Sequence, residues 1–100
     1  NYNMDGLYEA IVKTPIGEIK GNLKLECNGA NLSGYVEAMG KRSNFSGGKV
    51  VGNKFLISGT MSVAITKIQY DIQGEVIGNV LNISAKTNMG SFKIQGRKIK

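Results

Sequence analysis

The chain predicts an all-β fold: an eight-stranded up-and-down antiparallel meander closed into a small barrel. Three observations carry this. Apolar and polar residues alternate along almost the whole length, turn residues recur about every dozen positions, and no segment keeps apolar residues at i, i+3, i+4 and i+7 between caps.

The alternation defines the strands. Ile19, Gly21, Leu23, Leu25 and Cys27 share one face, while Glu18, Lys20, Asn22, Lys24 and Glu26 share the other, as in a strand with one wet side. Ile68, Tyr70, Ile72, Gly74 and Val76 repeat the pattern against Gln69, Asp71, Gln73 and Glu75. Turn signals separate the runs. Asn28-Gly29, Gly52-Asn53 and Gly78-Asn79 read as two-residue hairpin turns, because glycine and asparagine tolerate the positive φ of primed turns. Thr14-Pro15-Ile16-Gly17, Met39-Gly40-Lys41, Ile65-Thr66-Lys67 and Asn88-Met89-Gly90 interleave with them. The Gly-Asn turns therefore share one end with both termini, and the other four share the opposite end. Residues 48–59 (GKVVGNKFLISG) and 74–85 (GEVIGNVLNISA) repeat one another, which reads as one hairpin design used twice.

Each strand also carries a triplet of large apolar, polar and small residues, among them Tyr8-Glu9-Ala10, Phe45-Ser46-Gly47, Ile57-Ser58-Gly59 and Ile94-Gln95-Gly96. At period two the large and small members point inward together. Inward glycines cost about 0.5–1 kcal/mol each relative to alanine, and tightly coiled strands closing on themselves offset that by bending and interdigitating there. Closure also removes two sheet edges and an apolar face that no helix is available to cover. A two-sheet sandwich of the same meander is the rival architecture.

One hundred residues, 41% of them hydrophobic, make a single domain spanning 1–100. The net charge of +6 is spread over lysines that alternate singly with apolar residues, with a dense run only at Arg97, Lys98 and Lys100. That is the pattern of a solvated face and not of a nucleic-acid site, which would interleave aromatics with the cations; Tyr35 near Lys41 and Arg42 is too little. The single cysteine, Cys27, excludes an intrachain disulfide and a cysteine-based metal site, and its inward position beside a turn suits a small hydrophobe. No apolar run approaches a membrane span. Cysteine usage leaves the compartment open, with the cytoplasm favoured over secretion. The first residue, Asn1, is what a mature product or a piece of a longer protein would show.

With no histidine, Ser-His-Asp and Cys-His catalysis are excluded, and so is the commonest transition-metal ligand. Asp5, Glu9, Glu18, Glu26, Glu37, Asp71 and Glu75 fall almost wholly on outward positions, where paired-acid chemistry has no cleft. No catalytic residue, metal or cofactor is expected.

Gly6-Leu7-Tyr8 on the first strand and Gly96-Arg97-Lys98 on the last resemble the calycin pattern of lipocalins, fatty-acid-binding proteins and streptavidin-like domains, Gly-x-Trp packed on a closing arginine. Tyr8 replaces the tryptophan, and alternation turns Lys98 inward and Arg97 outward. The resemblance implies that Tyr8, Arg97 and Lys98 close one barrel end and that the other admits a ligand. The repeated Val-x-Gly-Asn hairpins are also similar to lipocalin-like domains found alone or appended to bacterial enzymes, flavin oxidoreductases among them.

The end opposite the termini carries Ile16, Met39, Ile65 and Met89, large apolar residues where turn tips favour polar ones. Behind this rim lie the inward residues Val12, Ile19, Val36, Phe45, Met61, Tyr70 and Phe92. Two function classes follow. The rim and inner wall receive a small apolar ligand, a lipid or an aromatic; or the rim docks a partner subunit, a parent enzyme domain or a second copy, over a filled core. Whether the small inward residues leave a cavity or let the wall collapse is left open at this level.

Overall fold

The computed structural model describes residues 3–14 and 17–100; Pro15 and the rim residue Ile16 lie outside them. Eight antiparallel strands follow in chain order: β1 (Gly6–Thr14), β2 (Gly17–Asn28), β3 (Asn31–Ala38), β4 (Lys41–Val51), β5 (Lys54–Val63), β6 (Thr66–Ile77), β7 (Val80–Thr87) and β8 (Gly90–Lys98). Each pairs with its neighbours and β8 pairs with β1, closing the barrel. No helix among the described residues is long and apolar enough to cross a membrane.

Burial grades along the barrel axis. At the basal end, where the termini meet the turns at Gly29, Gly52 and Gly78, Met4, Tyr8, Leu25, Leu32, Val76 and Leu81 are fully buried. The segment before β1 seals this end: the Tyr8 hydroxyl donates to the Met4 carbonyl at 2.7 Å, and the Cys27 amide donates to Asp5 Oδ1 at 2.7 Å. Sequence patterning did not identify Met4, because it precedes the first alternating run. At the distal end the inward residues Val12, Ile19, Val36, Val63, Ile68 and Phe92 are only half-buried.

The wall is not uniform. β1 to β4 form one continuous ladder and β5 to β8 another, but two seams between them are short. β4 meets β5 only at Lys49–Leu56, Val50–Phe55 and Val51–Lys54. β1 meets β8 from Tyr8–Lys98 to Ile11–Gln95 and no further toward the distal end. The molecule is thus a closed barrel whose two four-stranded halves are joined basally and part distally, which combines features of the barrel with those of the sandwich.

Seven of the eight large–polar–small triplets keep their parity; the triplet on β4 does not. Leu32 faces Gly48 while Gly34 faces Phe45, so Ser46 and Gly47 together oppose Ser33 in a bulge. The extra residue turns Gly47 out to solvent and makes Gly48 the small inward residue, with Leu32 against its backbone.

The turns differ from expectation in their chemistry. Gly29, Gly52 and Gly78 take φ of 62 to 64°, whereas Asn53 and Asn79 do not have positive φ, and the first turn is Gly29-Ala30 with Asn28 opposite Asn31. The asparagines instead tie hairpins together. Asn53 accepts from the Val76 amide through its carbonyl and donates through its side chain to the Val76 carbonyl. Asn88 likewise accepts from the Gln69 amide and donates to the Lys67 carbonyl.

Candidate functional site

The inner wall is built from a pairing of large with small residues across strands. On β5 and β6, Phe55 lies opposite Gly74 and Tyr70 opposite Gly59. In each pair the aromatic ring fills the space that a Cβ on the glycine would need. The Phe45 ring similarly covers Gly34. Tyr70 is held in place by hydrogen bonds: the Ser43 hydroxyl gives its single proton to the Thr60 carbonyl at 2.8 Å, so the Tyr70 hydroxyl donates to Ser43 Oγ at 2.8 Å. This chain of donors bridges the open part of the β4–β5 seam.

Across β8, β1, β2 and β3 the register brings four small residues into one row, Gly96, Ala10, Gly21 and Ala38. No aromatic ring among the described residues fills this row. Over Ala10, Gly21 and Ala38 of this row is a cavity of about 100 Å³ with an almost wholly apolar wall, completed by Val12, Ile19, Leu23 and Val36 and by Ile72, Ile83 and Ile94. An apolar space of this kind suits an apolar guest; an enclosed one of about 150 Å³ binds benzene or xenon.

Of the residues expected to line a site, Val12, Ile19 and Val36 meet at this cavity. Phe45, Met61 and Tyr70 belong to the packed core, and Phe92 is half-buried near the distal end. Sequence reading missed Ala10, Ala38, Ile72, Ile83 and Ile94. Their parity was visible, but their depth in the barrel depends on strand stagger. Of the rim residues, Met39, Ile65 and Met89 are exposed, Ile65 completely, and Met39 holds the left-handed φ of 53°. Among the closure residues, Tyr8 is fully buried, Lys98 is half-buried with its side chain crossing Gly6, and Arg97 is exposed on the outer face opposite Glu9 and Val80.

The polar surroundings offer little reactive chemistry. Burial, and then the Asp5 carboxylate beside it, push the Cys27 thiol above its ordinary pKa, so it stays protonated and weakly nucleophilic at neutral pH. On the outer face the Tyr35 ring is covered by the Arg42 guanidinium, 3.8 Å from its centroid, and Arg42 pairs with Glu37 at 2.9 Å. Comparison of the chain with family models and with curated proteins finds no match.

Proposed function

We propose that this calycin-like barrel is a non-catalytic binding domain for a small apolar ligand, held between Ala10, Gly21 and Ala38 and the isoleucines Ile72, Ile83 and Ile94. The observation that carries this reading is the cavity itself, which lies over the small residues Ala10, Gly21 and Ala38, whereas the inward Gly34, Gly48, Gly59 and Gly74 each lie against a neighbour's side chain. Its volume of about 100 Å³ is below the roughly 300 Å³ of a typical ligand pocket, so the ligand inserts a short apolar end and leaves the rest outside. Mass spectrometry of denatured protein after purification, with thermal shift against fatty acids and small aromatics, tests it. A retained ligand or a rise in Tm supports binding, and neither with any of them overturns it.

A second reading is favoured by the rim. Met39, Ile65 and Met89 project apolar side chains from three distal turns, and Met39 does so at a backbone angle that disfavours any side chain. Here the domain is an accessory interaction or oligomerisation module of a larger bacterial protein, an oxidoreductase among the candidates. Substituting Met39 and Met89 by lysine would then abolish an oligomer or complex seen by light scattering without lowering Tm; unchanged scattering counts against it.

A further inference from the structure

The β1–β8 ladder ends at Ile11–Gln95, and the residues next beyond it alternate across the wall. Val12 and Ile94 turn inward and line the apolar cavity. Lys13 and Lys93 turn outward and, with Ile11, Gln95 and Glu18, line a cleft of about 570 Å³ on the outer surface. One unzipped section of wall thus has an apolar cavity on its inner side and a cleft with two cations and one carboxylate on its outer side.

From this juxtaposition we infer that the open section of the β1–β8 seam is the binding site for an anionic amphiphile carrying a single carboxylate or phosphate. The apolar end passes between Val12 and Ile94 into the cavity, and the head group rests between Lys13 and Lys93. This rests on the apolar-ligand reading above and adds to it a route and a head group. Lys93 donates from Nζ to Ser84 Oγ, its partner across the β7–β8 ladder, at 2.7 Å; this exposed bond leans its ammonium toward β7, and turning the long side chain back toward Lys13 presents it to an anion at the seam. Glu18, opposite Lys13 in the ladder, limits the charge that the cleft accepts. The seam and not the distal mouth is the route because backbone pairing is absent there and the cavity wall contains both of its strands.

The test is calorimetric titration with straight-chain alkanoates from butanoate to dodecanoate and the matching alkanols, alongside methyl NMR of the same samples. Affinity for alkanoates should rise about fourfold per methylene over the shorter chains and then level off as the small cavity fills. Each alkanoate should bind better than its alkanol, and the double variant Lys13→Gln, Lys93→Gln should lose about tenfold or more of the alkanoate affinity while retaining that for the alkanol. Methyl shifts should centre on Val12 and Ile94. Alkanols binding as tightly as alkanoates, with the double variant unchanged, would overturn the head-group site and leave the apolar cavity standing. Shifts confined to Met39 and Met89 would overturn the seam route. Binding of neither series would overturn the apolar-ligand reading itself.

Discussion

Phe55 on β5 lies directly opposite Gly74 on β6, and its ring occupies the volume that a β-carbon at position 74 would take. The pair explains why a buried strand position carries glycine despite its entropic cost: the neighbour's ring supplies the side chain that the glycine lacks. Gly74→Ala should therefore destabilise the barrel by about 1–3 kcal/mol in urea or guanidinium unfolding. Phe55→Leu made in the Gly74→Ala background should recover part of that loss, a coupling of about 0.5–3 kcal/mol between touching residues. Additive effects of the two changes would show that the ring does not depend on the glycine.

Ala10 lies in the uncovered row and should respond in the opposite sense. Ala10→Val places two methyl groups toward the cavity on a strand that favours β-branched residues, so stability should rise by about 1 kcal/mol. The same variant should lose any ligand-induced thermal shift. A lower midpoint would mean that the row is already close-packed.

Met39 has φ of 53° at an exposed turn tip, followed by Gly40 at 74°. Left-handed backbone costs a side chain roughly 1–2 kcal/mol, and asparagine bears it better than methionine. Met39→Asn should raise stability by up to about 1 kcal/mol while removing one apolar tip from the rim. Equilibrium unfolding reads the first effect and light scattering the second.

Cys27 provides a pH test. Its thiol pKa is raised, chiefly by burial and then by Asp5, so at any given pH the folded chain holds less thiolate than the unfolded chain. Alkylation of native protein should thus be slower than that of denatured protein, with its pH–rate curve displaced toward higher pH. Asp5→Asn keeps an acceptor for the Cys27 amide but removes the charge, so it should move the curve back toward lower pH. A curve for Asp5→Asn that coincides with that of the native protein would show the carboxylate to be irrelevant to the thiol.

Much of this architecture is legible in the residues. Alternation from Glu18 to Cys27 and from Ile68 to Val76 marks strands because one face is wet and the other buried, and the turn glycines at 29, 52 and 78 mark every basal hairpin. The repeat of 48–59 in 74–85 is a repeat of positions: Gly48 and Gly74 are both inward, as are Phe55 and Leu81, and Ile57 and Ile83. Local pattern fails where a contact is long-range. The tandem Gly47-Gly48 permits a bulge that only the Leu32 register reveals. Met4 has no periodic neighbours, and its role depends on the barrel end beneath which it folds. The cavity required knowing that Ala10, Gly21 and Ala38 fall in one row, which stagger between strands decides and composition does not.

Ala10, Gly21 and Ala38 leave an apolar space able to take a guest. The decisive measurement is methyl NMR of the native protein under xenon pressure, since xenon enters apolar cavities without needing any polar contact. Saturable shifts should appear at Val12, Val36, Ile72, Ile83 and Ile94, be lost in Ala10→Val, and leave Leu25 and Leu81 at the sealed end unmoved. Absence of saturable shifts at those five residues would contradict the presence of that space.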